Sequence, residues 1–316
     1  MPDSNTHPPS ETPPRRLSPL SLKVNFAWTF LGNAIVAVCQ LLLMALLLRE
    51  AGDATTGQYI IALAISAPVF MFAGLDLRTL QATDNNGEGR FIEYLSLRLM
   101  SGSIALALVP AIAIAWGYRA DTLAVIAGVG LGRFFLLISD TFNGLMQKSE
   151  RMDRVAHSIV LKGILSTLVL GATFIATRSL VAAVFAEAIT RGLVLALYDL
   201  PLGRRLAREQ GTDTISLASL QTVETFRLRK LTLRSLPLAF KVMLVSLDTH
   251  VTRYFVSGMA SLSAVGVFGP IASGAGAASM VGKALNQSVS ANLGRLATAG
   301  EPRPFIRFVR RVQLLY

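Results

Sequence analysis

The stretch that decides the fold is VNFAWTFLGNAIVAVCQLLLMALLL, residues 24–48. It carries no charged side chain, and a helix needs about 20 mostly apolar residues to cross the hydrocarbon core of a membrane. It lacks the alternation of apolar and polar residues that marks a strand of an outer-membrane barrel. It is also too long for the apolar region of a cleaved signal peptide. We therefore predict that this stretch is a transmembrane helix retained in the protein.

Similar stretches recur along the 316 residues, of which 52% are hydrophobic and only 16% are charged. Soluble domains carry about 25% charged residues, so this composition argues against a soluble globular enzyme, and it excludes disorder as the main state. A single cysteine, Cys39, excludes a disulfide scaffold. We predict an all-α, polytopic transmembrane helical bundle of about eight spans, with the start of a ninth near Phe305. The predicted spans are Val24–Leu48, Gln58–Leu77, Tyr94–Trp116, Thr122–Met146, Val155–Thr177, Leu180–Leu200, Leu236–Val256 and Leu262–Val281.

Basic residues alternate between the connections. Most of the 30 lysines and arginines fall in the N-terminal tail and in every second connection, to which we also assign Arg98 and Lys162. The other connections hold only Arg49, Arg119 and Arg178. This asymmetry is the positive-inside pattern and predicts a cytoplasmic N-terminus. Because topology explains the formal net charge of +11, and no nucleic-acid motif is present, we expect no nucleic-acid partner.

The chain divides into four predicted segments. Residues 1–21 are polar and rich in proline, which predicts a disordered cytoplasmic tail. The first spans occupy residues 22–202, a basic cytoplasmic linker follows at residues 203–234, and residues 235–316 hold the later spans. Within the linker, residues 219–234 have the apolar spacing of an amphipathic helix. That helix either lies on the cytoplasmic leaflet or packs against the ends of the bundle.

Four charged residues lie near the middle of their predicted spans: Arg133, Glu187, Arg191 and Asp248. A charge at that depth is costly and faces a bundle interior or a wet cavity. Glu187 and Arg191 are four residues apart, so they share one helix face in the favourable order. Two interpretations stay open. The pair either fixes helix packing by mutual neutralisation, or it places an ion-sensitive carboxylate beside an anion-binding guanidinium.

Other charged residues lie nearer the span ends. Arg78, Lys241 and Lys283 either snorkel to the headgroups or face inward. Arg253 is near the outer end of its span, where headgroup contact is the commoner role. Asp140 is two helical turns from Arg133, too far for direct pairing.

A polar stripe runs along the first span. Asn25, Asn33 and Gln40 follow a helical spacing on an otherwise apolar helix, together with Thr29. Such residues either hydrogen-bond between helices or line a hydrophilic cavity, and both roles place this face inward.

The sequence lacks the motifs of an enzyme. It contains neither a nucleophile elbow nor a phosphate-binding P-loop. None of the histidines His7, His157 and His250 has a second ligand at metal-binding spacing. We therefore predict no catalytic residues, no metal and no cofactor.

Two stretches resemble a known family. The first combines NFAW at residues 25–28 and GN at 32–33 with GQY at 57–59, and the second is FAGLDLRTLQATD at 72–84. Both resemble the bacterial polysaccharide (O-antigen-type) flippases of the multidrug/oligosaccharidyl-lipid/polysaccharide exporter superfamily. The resemblance implies a transporter of two six-helix lobes, the first formed by the first six spans, with access alternating between the two sides. It also implies flipping of a polyprenyl-diphosphate-linked oligosaccharide across the bacterial inner membrane in polysaccharide or lipopolysaccharide biosynthesis.

The resemblance also implies a cationic central cavity and coupling to an ion gradient. By depth and charge, the candidates for anion contact are Arg78, Arg133, Arg191, Lys241, Arg253 and Lys283. The candidates for ion coupling are Asp140, Glu187 and Asp248, and those for cavity lining are Asn25, Asn33 and Gln40. The implied partners are the lipid-linked oligosaccharide, membrane lipids, a polysaccharide polymerase and a chain-length regulator.

Three alternatives stay open. A drug or cation exporter of the same superfamily would have an acidic or aromatic cavity with few guanidiniums. A membrane glycosyltransferase would need a large extramembrane loop with paired acids, and a non-transporting scaffold of glycan assembly would differ only in a transport assay. Members of the family have about twelve or fourteen spans. We therefore expect this chain to be a truncated product or an incomplete gene, with most of the second lobe missing.

Overall fold

The computed structural model describes residues 20–84, 90–209 and 223–275, together with the single residues Val289 and Ile306. Within these ranges all regular secondary structure is helical. The helices are α1 Leu22–Ala73, α2 Leu77–Thr83, α3 Phe91–Ala115, α4 Ala120–Lys148, α5 Met152–Thr177, α6 Leu180–Val194, α7 Leu200–Glu209, α8 Thr225–Met259 and α9 Leu262–Ala275. A π-helical turn, Leu195–Asp199, joins α6 to α7.

Helix α1 contains the first two predicted spans and is broken between them at Gly52. This residue has φ 77° and ψ 174°, a backbone region that is essentially restricted to glycine. The hydroxyl of Thr56 donates a hydrogen bond of 2.9 Å to the Gly52 carbonyl and helps restart the helix. The break lies where the sequence predicts the connection between the two spans.

Among the described residues, five helical stretches are long and apolar enough to cross a membrane. They are Leu22–Thr83, Phe91–Ala115, Ala120–Lys148, Met152–Thr177 and Leu180–Arg208, and Leu262–Ala272 is a shorter apolar helix. Large apolar side chains cover their outer surface, as lipid contact requires: Leu42, Ile104 and Leu168 are all more than half exposed. The chain is therefore a multi-pass membrane protein. The count of about eight spans and the division into two lobes stay predictions.

Several predicted features lie outside the described residues. They are the tail up to residue 19, linker residues 210–222, the end of the eighth span with Lys283, and the ninth span apart from Ile306.

The core of the bundle lies between α1, α3, α4 and α6. Leu47, Ile61, Val109, Ile126 and Ala183 are completely buried there. Small residues let the helices approach closely. A Cβ atom on Gly32 of α1 would lie 3.3 Å from the Cβ of Ala156 on α5, and one on Gly128 of α4 would lie 2.5 Å from Val184 Cγ2 on α6. These contacts fix the relative position of the helices that carry the charged side chains.

Helix α8 packs along the second half of α1. The rings of Phe72 and Phe240 lie 5.2 Å apart, and the hydroxyl of Tyr254 donates a hydrogen bond of 2.5 Å to the Ala64 carbonyl. Near the start of α8, Leu231 is buried in a cluster formed mainly by residues of α2 and α3. The described end of the linker is thus the beginning of α8, and the role of the amphipathic segment stays a prediction.

Candidate functional site

The mid-span residues of α4 and α6 come together in the structure. We call Tyr59, Arg133, Glu187 and Arg191 the mid-span cluster. Arg191 forms an ion pair with Glu187 one turn earlier on α6, as their spacing predicts. Glu187 is only 3% exposed, and Arg133 interacts electrostatically with Arg191, Tyr59 and Glu187. The cluster therefore combines one Glu187–Arg191 ion pair with a second guanidinium, that of Arg133, which interacts with it electrostatically.

A glycine makes room for one of these guanidiniums. A Cβ atom on Gly132 of α4 would lie 2.8 Å from Nη1 of Arg191. That separation is shorter than real Cβ contacts, so any side chain at this position would displace the end of Arg191. The neighbouring Gly130 is different, because its nearest contact would be an ordinary 3.7 Å from Val109. Gly132 thus defines where the Arg191 guanidinium lies.

Helix α8 contributes two further polar residues beside the mid-span cluster. His250 interacts electrostatically with Arg133 and with Arg253. Nη1 of Arg253 lies 2.7 Å from Nδ1 of His250, and because a guanidinium can only donate, Nδ1 accepts this hydrogen bond. The predicted Arg253 therefore interacts with a residue that faces Arg133. Arg253 thus adds a third guanidinium, carried by α8, on the side of His250.

A second group of charges surrounds Asp140 on α4. Nη1 of Arg78 lies 3.0 Å from one carboxylate oxygen, and Nη1 of Arg98 lies 3.0 Å from the other. Arg78 also donates to Oε1 of Gln147 at 2.8 Å, and Arg98 donates to the Leu137 carbonyl at 2.8 Å. Arg78 therefore points inward rather than to the headgroups, and Asp140 pairs with α2 and α3 rather than with Arg133.

A third group, which we call the Asp199 network, lies next to the second. Asp199 is the last residue of the π-helical turn and is completely buried. Its carboxylate accepts hydrogen bonds from Ser158 at 2.6 Å and from Ser139 at 2.5 Å. Nζ of Lys162 lies 3.0 Å from the same carboxylate and also contacts Ser139. Because Ser139 precedes Asp140, the Asp199 network and the Asp140 group adjoin on α4.

The sequence reasoning missed three of these residues. The charge rule assigns Arg98 and Lys162 to cytoplasmic connections, although both fall within the bounds of predicted spans. Asp199 also falls within a predicted span but is not among the candidate site residues. The structure buries Arg98 to 2% exposure and Lys162 to 5% exposure. Their position inside the span bounds is the one sequence signal that marks them as candidates for burial.

The other candidate residues occupy different surroundings. Lys241 and Asp248 are exposed on α8, and their roles stay predictions. Asn25 is 1% exposed, and its Oδ1 accepts a hydrogen bond of 3.1 Å from the backbone N–H of Met152 at the start of α5. Asn33 is half-buried and Gln40 is exposed, so lining of a cavity by this stripe also stays a prediction.

Among the residues that the structure describes, no group of three His, Cys, Asp or Glu could hold a metal ion.

Comparison with known proteins identifies one curated relative. The chain is 25% identical over 248 residues to the capsular polysaccharide biosynthesis protein CapF of Staphylococcus aureus. The alignment covers 78% of this chain and 60% of CapF, so the chain spans less than two thirds of that relative's length. No protein-family model matches the sequence.

Solved structures with a similar fold are MATE transporters. A ligand complex of the MATE multidrug transporter DinF-BH matches with a TM-score of 0.68 at 16% identity, over 90% of this chain and 69% of that chain. An outward-facing multidrug resistance MATE family transporter of the MOP superfamily matches with a TM-score of 0.59 at 18% identity, over 95% and 68% of the two chains. This chain therefore has the fold of a MATE-like membrane transporter.

Proposed function

We propose that this chain is part of an exporter that flips a polyprenyl-diphosphate-linked oligosaccharide from the cytoplasmic to the outer leaflet of the bacterial inner membrane. The observation that carries the proposal is the mid-span cluster, in which Arg191 pairs with Glu187 and Arg133 interacts electrostatically with both. Similarity to a capsular polysaccharide biosynthesis protein gives independent support. The flipped oligosaccharide would serve the synthesis of a surface polysaccharide.

A diphosphate suits this cluster chemically. Guanidinium groups form paired, charge-assisted hydrogen bonds with phosphate oxygens, and these are among the stronger hydrogen bonds in proteins. Arg191 is 16% exposed at its side chain, so it is largely removed from water. Reduced solvation strengthens the attraction between a guanidinium and a phosphate.

The ion pair of Glu187 and Arg191 offers a way to couple transport to protons. When a diphosphate binds Arg191, Glu187 loses its partner, and uptake of a proton then neutralises the buried carboxylate. When the proton leaves, Glu187 pairs with Arg191 again and displaces the anion. Among the predicted ion-coupling residues we assign this role to Glu187, because Asp140 is already held by two arginines.

Export of cationic drugs is the second candidate. A buried carboxylate is the group that a cationic substrate needs, and Glu187 is 3% exposed. The MATE fold itself is also found in multidrug transporters. The two candidates differ in which member of the ion pair contacts the substrate, Arg191 for a diphosphate and Glu187 for a cation.

The two candidates can be separated in the native bacterium by replacing the gene at its locus. Arg191→Gln and Glu187→Gln each remove one charge of the pair, and Arg119→Gln at an exposed position is the control. We expect Arg191→Gln to abolish surface polysaccharide while drug resistance and the amount of protein in the membrane stay unchanged. Normal polysaccharide together with increased drug sensitivity in the variants would support drug export instead.

A further inference from the structure

We propose that a pocket between the start of α5 and the α6–α7 junction binds the headgroup of an anionic phospholipid. The pocket has a volume of about 440 Å³, and the polar residues that line it are Arg154, His157, Tyr198 and Arg205, together with Asp153. Leu197 and Pro201 form the apolar part of the wall. This site is separate from the mid-span cluster, and the proposal does not depend on which substrate is transported.

The pocket carries a net positive charge even though it contains one carboxylate. Asp153 is bound by Arg151 through two contacts, Nε to Oδ1 at 2.9 Å and Nη2 to Oδ2 at 2.7 Å. It also accepts a hydrogen bond from the backbone N–H of Arg154. Arg154 also interacts electrostatically with Asp153, but Arg151 already balances that carboxylate, so the guanidiniums of Arg154 and Arg205 leave the pocket with an excess of positive charge. A phosphodiester supplies one negative charge and the acceptor oxygens that two guanidiniums need.

The apolar wall favours a lipid over a free anion. Leu197 is 76% exposed although it lies in a helical stretch apolar enough to cross a membrane, Leu180–Arg208. It can therefore contact an acyl chain while the headgroup occupies the pocket. The ring of Trp28 lies 5.1 Å from that of His157, and tryptophan is enriched at the level of the headgroups. Basic pockets between transmembrane helices on the cytoplasmic side bind acidic lipid headgroups.

The Asp199 network holds this wall in place. Leu197 and Tyr198 immediately precede Asp199 in the π-helical turn. Asp199 is fixed on the inner side by Ser139, Ser158 and Lys162. The same turn therefore anchors one residue in the bundle and presents the two before it to the pocket. Its irregular hydrogen bonding is consistent with a functional position, where π-bulges are frequent.

Lipid binding can be measured by native mass spectrometry of the purified chain, with phosphatidylglycerol and phosphatidylcholine as probes. We expect preferential binding of phosphatidylglycerol, and a roughly tenfold loss of that affinity in the double variant Arg154→Gln/Arg205→Gln. The matched control is Arg204→Gln/Arg208→Gln, which removes the same charge from exposed positions on α7 outside the pocket. Equal losses in both double variants would overturn the proposal, because they would indicate attraction by overall charge.

Further measurements separate loss of lipid binding from loss of folding, and distinguish a phospholipid from other phosphate-containing ligands. Leu197→Ser changes an exposed residue and should also weaken phosphatidylglycerol binding while the protein stays folded. Unchanged binding in that variant would contradict a lipid occupant. Displacement of phosphatidylglycerol by an equal concentration of inorganic phosphate would assign the pocket to a free anion and overturn the proposal. Tighter binding of a polyprenyl diphosphate than of phosphatidylglycerol would assign the pocket to the transported substrate and would also overturn the proposal.

Discussion

Arg98 of α3 pairs with Asp140 of α4 at 3.0 Å, and the arginine side chain is only 2% exposed. Arg78 holds the other oxygen of the same carboxylate. Three helices are therefore joined at one residue, because α2, α3 and α4 each contribute a charge. The contact joins three consecutive helices, and it stabilises α4, which carries Arg133 of the mid-span cluster.

Removal of the Asp140 carboxylate should destabilise the bundle. Asp140→Asn leaves two guanidiniums without their counter-charge, and breaking a buried ion pair costs about 3–5 kcal/mol. We expect a clearly lower thermal unfolding midpoint in detergent. Asp121→Asn is the matched control, because Asp121 is exposed near the start of the same helix. Identical midpoints for the two variants would show that the pairs around Asp140 contribute nothing.

The Asp199 network should show strong coupling between its two charges. Lys162→Met leaves the buried Asp199 carboxylate without a counter-charge, and Asp199→Asn does the same to the buried Lys162 ammonium, so each single variant should be markedly destabilised. The double variant removes both charges and should recover part of the lost stability. A double-mutant cycle on the unfolding free energy measures this recovery. Simple addition of the two single effects would contradict a direct Lys162–Asp199 interaction.

The break in α1 should depend on glycine. Gly52→Ala places a side chain where the backbone has φ 77° and ψ 174°, which costs on the order of 1–3 kcal/mol. We expect a lower unfolding midpoint for this variant. Gly258→Ala on α8 is the control, because a Cβ atom there meets nothing within 4 Å and alanine favours a helix. A stable Gly52→Ala variant would mean that this backbone geometry is not required.

A substitution at Gly132 can test the position of the Arg191 guanidinium without removing any charged residue. Gly132→Ala should push the guanidinium away from its place while the helices stay packed, because the contact is with the end of a flexible side chain. We expect reduced surface polysaccharide with normal protein levels. Gly130→Ala, two residues away, has an ordinary contact of 3.7 Å and should leave surface polysaccharide unchanged. Equal effects of the two substitutions would point to general loosening of α4.

Local patterns in the sequence predict much of the fold. Apolar runs predict the five apolar helical stretches seen among the described residues, from α1 to α7, because apolar length depends only on consecutive residues. The pairing of Glu187 with Arg191 is also accessible, because both lie on one helix face. The α1 break at Gly52 falls where a connection is expected.

Contacts between helices could not be predicted in the same way. Arg98, Lys162 and Asp199 lie within span bounds, but a basic residue near a span end also suits the charge rule for topology. Whether it snorkels or pairs depends on how its helix is rotated against its neighbours. Asp140 illustrates this, since its partners come from α2 and α3 and no sequence spacing relates them.

We propose that Arg133 and Arg191 hold the diphosphate of the lipid-linked oligosaccharide during flipping. This role can be measured as the fraction of lipid-linked oligosaccharide that a membrane-impermeant reagent can modify on intact spheroplasts. We expect the fraction to fall to background in Arg133→Gln/Arg191→Gln, and Arg133→Lys/Arg191→Lys to retain part of it because the positive charges remain. A normal accessible fraction in the glutamine variant, with the protein present in the membrane, would show that the two guanidiniums do not hold the diphosphate.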